Sequence, residues 1–272
     1  MSVYFDTNVI RYLRTGLRDQ PLADQRKREV VLSPISLLEL VAQIACIPGE
    51  ALGCIHDLGS WANTANLQLL DWSEVFIAHW VFGKDRADGI SVELQRMLKV
   101  CYSSECADAD LRDDARALSD FLEHAKRRKA VLLEGAVAEI RRLRVACTTA
   151  ELRACARRGL AGGLRSRVGA VEGPPDDSVA GRLVAYFAYH EDLIERAART
   201  GEFNFFKHRN DHFDAEQLVF LADPSLHFFT ADTGYFEAAR LEPRIHILRA
   251  DQLQEPTVAP MLLDDEIKSA LG

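Results

Sequence analysis

The feature that most constrains this fold is a short apolar run near the amino terminus, Val3-Tyr4-Phe5, ending in Asp6. The chain passes at once into Thr7-Asn8-Val9-Ile10, with further apolar residues at Tyr12, Leu13 and Leu17. A β-branched and aromatic run without polar alternation, followed by helix-like spacing, predicts a parallel strand buried on both faces that feeds a helix. Asp6 then falls at the carboxyl end of that strand, the edge on which open α/β sheets build their sites. A carboxylate there is costly to desolvate unless it is hydrogen-bonded, paired or bound to a cation. Asp6 is either a helix N-cap or a site residue, and the recurrence of acids at matching places favours the site.

Val30-Val31-Leu32-Ser33 reads as a second buried strand, ended by Pro34. Ser36-Leu37-Leu38-Glu39 has the form of a capping box, with Leu40, Val41, Ile44 and Ala45 as the apolar face of its helix. Glu39 is therefore a cap or a site acid in a first helical turn. A third strand is predicted at Leu67 to Leu70, with Asp71 or Ser73 capping a helix from Glu74 to Phe82. From Ile90 to about Ala156 the periodicity is helical. Gly159, Gly162, Gly163, Gly169, Gly173 and Pro174-Pro175 mark Arg157 to Asp177 as a flexible segment, and a helix resumes over Arg182 to Thr200. Asp211 and Asp214 open a short amphipathic helix ending near Leu221. Leu226 to Thr230 is a strand that runs into Asp232 and a helix from Gly234 to Arg240, and Ile245 to Leu248 is a last strand.

About half of the 272 residues are apolar, enough for one large domain or a domain carrying an insertion. No apolar run approaches the roughly 18 residues of a membrane span, and MSVYFDTN lacks the features of a signal peptide, so the expectation is a cytoplasmic protein without membrane contact. The six cysteines form no CxxC pair, which argues against a zinc ribbon or a thioredoxin-like site. A formal charge of −8 argues against a general nucleic-acid coat protein. Between Glu123 and Arg167, however, twelve Lys or Arg face four Glu, a local excess large enough to hold a polyanion or to form solvated helix faces.

Four acids, Asp6, Glu39, Asp214 and Asp232, thus stand at strand-to-helix junctions or helix openings. In a parallel sheet with right-handed crossovers such places collect on one edge. Carboxylates gathered there repel one another unless some are protonated or a divalent cation is bound, and hard oxygen ligands suit Mg²⁺ or Mn²⁺.

In these motifs the sequence resembles the PIN-domain nucleases. The resemblance rests on Phe5-Asp6-Thr7-Asn8, on Glu39 within Ser36-Leu37-Leu38-Glu39-Leu40, on Asp211 or Asp214, and on Phe229-Thr230-Ala231-Asp232-Thr233-Gly234-Tyr235-Phe236. It covers roughly residues 2–82 and 205–250. It implies an α/β three-layer sandwich around a mainly parallel sheet: a first PIN part over 1–84, an all-helical insertion over 85–205, a second PIN part over 206–250 and a tail over 251–272. It implies a Mg²⁺ or Mn²⁺ site at Asp6, Glu39, Asp214 and Asp232, with Asp211 as a further ligand and Asn8 and Thr230 orienting the carboxylates.

The chemistry implied is hydrolysis of phosphodiesters, RNA foremost, by metal-activated water. The basic helices would hold the substrate, with Arg141, Arg142 and Arg144 as its contacts, and His208 and His212 either touch phosphate or cover a helix start. The rival reading is a PIN-like module that binds RNA or protein without cutting. A ribonuclease toxin held by a protein antitoxin, and a homodimer, are the other partnerships left open.

Overall fold

The computed structural model describes residues 2–10, 29–44, 51, 53–54, 68–85, 108–143, 148–170, 172–200, 203–204 and 211–248. The first helix beyond residue 10, the segments around 55–63 and 90–107, Arg144, His208 and the tail over 251–272 lie outside them.

Five short strands, β1 (Ser2–Phe5), β2 (Glu29–Leu32), β3 (Gln68–Leu69), β4 (Leu226–Thr230) and β5 (Ile245–Ile247), form one sheet in the order β3-β2-β1-β4-β5. Every neighbouring pair is parallel, with Val3 opposite Val30 on one side and His227 on the other. The protein is thus an α/β fold with a parallel sheet. Side chains alternate across it: Val3, Phe5, Leu32 and Phe229 enter one apolar cluster, and Tyr4, Val31, Phe228 and Ile245 a second. Because both faces are covered, β1 and β4 carry no exposed position, so large apolar side chains occupy both faces and even Ser2, His227 and Thr230 are buried.

The helices are α1 (Pro34–Gln43), α2 (Ser73–Trp80), α3 (Asp108–Leu143), α4 (Thr149–Arg167), α5 (Asp176–Arg182), α6 (Val184–Arg199), α7 (Asp211–Gln217) and α8 (Phe236–Leu241). Helix α1 corrects the capping-box reading. Its cap is Ser33, whose hydroxyl accepts from the amides of Ile35 and Ser36, and Pro34 occupies the first turn, where its missing N–H costs nothing. Ser36 is therefore inside the helix, and Glu39 lies in the second turn. Helix α2 starts on Trp72 without a side-chain cap, so neither Asp71 nor Ser73 caps it.

The segment read as flexible from its glycines is largely helical, since α4 runs through Gly159, Gly162 and Gly163 to Arg167. Each interior glycine costs about 1 kcal/mol against Ala. That cost is offset by a reciprocal capping box between Thr148 and Glu151, by the buried face of Ala156, Ala161 and Leu164, and by ion pairs from Arg153 to Glu195 and Arg157 to Glu191. Helix α4 gives way at Gly169, whose φ of 60° is the left-handed conformation common after a helix end. A break at Leu183 separates α5 from α6, and α6 is the helix expected over Arg182 to Thr200.

The helices between α2 and α7 pack onto the sheet-bearing elements. Ala115 and Leu122 of α3 enter the first cluster beside α1, while α6 lies against α7, α8 and the 3-10 turn Leu218–Ala222.

A candidate acidic site at the switch point of the sheet

The strand order reverses between β1 and β4: the chain builds outward to β2 and β3 on one side and to β5 on the other. Such a reversal opens a crevice beyond the carboxyl ends of the two central strands, where α/β proteins bind ligands. Asp6 follows β1 there, and Ala231-Asp232 follows β4, with Phe5 opposite Phe229 in the register.

Asp6 is buried, and both its oxygens are engaged. Oδ1 accepts from the Val9 amide at 2.7 Å, so the cap and the site are the same residue, and Oδ2 accepts from the Thr230 hydroxyl. Thr230 is fully buried and its oxygen also accepts from the Asp232 amide at 2.9 Å, tying the two strand ends together. Asp232 in turn caps the 3-10 turn Thr233–Tyr235 through Oδ1 and the Gly234 amide, 2.7 Å. A Cβ at position 234 would come within 3.1 Å of that Oδ1, so glycine keeps the approach open. Glu39 reaches in from α1, its Oε2 accepting from the Thr7 hydroxyl at 2.5 Å. Asn8, beside Thr7, is exposed.

Burial raises the Asp6 carboxyl to about 6. The bonds from Thr230 and Val9 pull it down, and the charges of Asp232 and Glu39 push it up. Asp214 on α7 is raised well above the carboxylate range, by burial first and then by Glu39, Asp232, Asp211 and Asp6. Glu39, Asp232, Asp211 and Asp6 therefore all lie within electrostatic reach of Asp214, and Asp232 and Glu39 within reach of Asp6.

Sequence reasoning missed the buried polar latch that fixes Asp214's helix. The Gln217 amide donates to the Ser36 hydroxyl at 2.9 Å and accepts from Ser33 at 2.7 Å, Ser36 donates to the Phe5 carbonyl at 3.0 Å, and the Tyr4 hydroxyl holds the Gln217 carbonyl at 2.8 Å. Tyr235 adds a bond to the Asp214 carbonyl, 3.0 Å. The available signal was the presence of hydrophilic Ser33, Ser36 and Gln217 within otherwise apolar runs.

The basic block is mostly committed to the protein itself. Arg153, Arg157 and Arg165 pair with Glu195, Glu191 and Asp176, and Arg167 pairs with Glu216 and Glu74. The Arg141 guanidinium donates to the Ala197 and Thr200 carbonyls at 2.6 and 2.5 Å, closing the end of α6, and exposed Arg142 pairs with Glu139. They lie about 22 and 24 Å along α3 from Lys126, at roughly 1.5 Å per residue. Buried Lys126 stands with Nζ 5.8 Å from the ring centroid of Phe213, next to Asp214 in the chain.

Among the described residues, no three His, Cys, Asp or Glu side chains are arranged to hold one metal ion. The donor chemistry nonetheless fits a hard cation, being all carboxylate oxygen, with burial and mutual repulsion raising Asp6 and Asp214. No protein-family model matches the chain, and neither a curated protein nor a solved structure matches it.

Proposed function

We propose that this protein is a metal-dependent endoribonuclease of the PIN type, a three-layer sandwich interrupted by helices, acting at Asp6, Glu39, Asp214 and Asp232. The observation that carries the reading is the mutual electrostatic pressure of these acids at the sheet's switch point. Desolvated carboxylates without matching cations destabilise a fold, and a site that keeps them is explained by a charge they receive in function. Mg²⁺ or Mn²⁺, held by these acids with Asp211, would supply an activated water and neutralise charge on the phosphoryl oxygens. Thr230 and Thr7 hold Asp6 and Glu39 in place, and the Gln217 latch holds the helix that carries Asp214.

A second reading, a PIN-like module that binds without cutting, draws on one observation. Asp6, Glu39 and Asp232 each already accept a hydrogen bond from a hydroxyl or amide of the protein itself, and no three acids among the described residues are arranged to hold one metal ion.

One experiment separates the two. Purified protein is incubated with single-stranded and structured RNA in Mg²⁺ or Mn²⁺, beside Asp6→Asn and Asp232→Asn. Cleavage by the wild type and its loss in both folded variants is the expected result, and equal cleavage by all three removes the assignment. Mn²⁺ at a hundred times its Kd should also stabilise the wild type by about 2.7 kcal/mol, and either variant by less.

A further inference from the structure

A site built of carboxylates accepts hydrogen bonds and cannot offer any to a phosphate, so donors must come from elsewhere. Arg141 is spent on the end of α6 and Arg167 on Glu216 and Glu74. The residue that α6 does send toward the acids is Tyr189.

Its ring is buried and packs on Tyr235, centroids 5.5 Å apart at 42°, and Tyr235 itself bonds the Asp214 carbonyl. The other described tyrosines have committed hydroxyls: Tyr4 to Gln217, Tyr235 to Asp214 and Tyr186 with Arg167. The Tyr189 hydroxyl makes no hydrogen bond to a described residue. A buried tyrosine normally finds a partner for its hydroxyl, and an unmet donor costs about 1–3 kcal/mol. Burial, then Asp214, Asp211 and Asp232, keep the phenol protonated, while Arg196 works the other way. The hydroxyl is therefore a neutral donor within reach of the acids' charges and without a partner among the described residues.

We infer that the Tyr189 hydroxyl is a phosphate-binding group, presented by α6 to a non-bridging phosphate oxygen of a nucleic acid lying across the acidic site. The inference rests on the nuclease reading for its substrate class. A ring already packed on Tyr235 is poorly placed to stack a base, which assigns the contact to the backbone rather than to sequence readout.

The test is Tyr189→Phe, which keeps the ring and removes one hydroxyl. Affinity for a single-stranded RNA oligonucleotide is measured by fluorescence anisotropy in Ca²⁺, alongside Mn²⁺ affinity, melting temperature and KM in Mn²⁺. The expected result is RNA affinity weakened about tenfold or more, as for loss of a hydrogen bond to a charged group, with KM rising and Mn²⁺ affinity and melting unchanged. Equal RNA affinity in the two proteins, or no RNA binding by the wild type, overturns the inference. A lower melting temperature with unchanged RNA affinity assigns Tyr189 to packing and overturns it too. Tyr189-dependent binding without cleavage in Mn²⁺ supports it and counts against the nuclease reading alone.

Discussion

Asp214 and Glu216 stand two residues apart on one short helix and have opposite surroundings. Glu216 is buried and meets the Arg167 guanidinium with both oxygens, at 2.5 and 2.9 Å. Burial works against charge on Arg167, but the bonds and charges of Glu216 and Glu74 outweigh it and hold the guanidinium above its ordinary value. Asp214 faces Glu39, Asp232, Asp211 and Asp6, and every one of these pushes it up. One helix therefore carries a compensated acid that ties α2, α4 and α7 together and an acid whose neighbours make its ionisation harder. The buried acid Glu216 is explained by architecture, whereas the half-buried Asp214 calls for an outside charge.

The sharpest way to break this comparison is Arg167→Ala. Removing one partner of a buried pair leaves an uncompensated charge, and the expected loss is about 3–5 kcal/mol in urea unfolding. A loss under about 1 kcal/mol would show that Glu216 is no better compensated than Asp214. Removing an acid from the other cluster should act in the opposite direction. The folded carboxyl of Asp6 sits near 6 against an ordinary 3.8, so the native state binds the extra proton between these values. Its contribution to stability is present below about pH 3.8 and is lost as pH rises through 6, a cost of about 3 kcal/mol at pH 7. Asp6→Asn should then stabilise the protein at pH 7 by up to about 3 kcal/mol, and the gain should fade toward pH 4. A gain that does not depend on pH, or no gain, would place the variant's effect in the Thr230 contact instead. The smallest effects concern the end of α3. Arg141→Ala should cost about 1 kcal/mol by uncapping α6, and Arg142→Ala should leave melting unchanged, its pair with Glu139 being solvated. Neither should alter RNA affinity if phosphate is held near Tyr189. A weaker affinity and a shallower salt dependence would return substrate contact to this end of the block.

Strands buried on both faces announce themselves by composition, and Leu226 to Thr230 was legible residue for residue. The acids were legible because a carboxylate after a buried strand is costly wherever it occurs. What pattern could not resolve was competition between local signals. Ser36 and Glu39 match a capping box, but Ser33 and Pro34 three residues earlier make a better helix start. Gly159, Gly162 and Gly163 signal a loop, yet Thr148, Glu151 and the ion pairs to α6 offset their cost. The arginines of the basic block gave no sign of their acidic partners because Glu191, Glu195, Asp176 and Glu216 come from later helices.

The Thr230 bond to Asp6 joins residues 224 positions apart, and it lies across the central strand pair of the sheet. Closing a loop of that length is a late event on folding, since its entropy must be met before the pairing rewards it. A ribosome extending this chain releases Asp6 and Glu39 well before β4 exists to bring them beside Asp232. The acidic centre is therefore completed only when β4 pairs with β1, and the same long closure that slows assembly delays it.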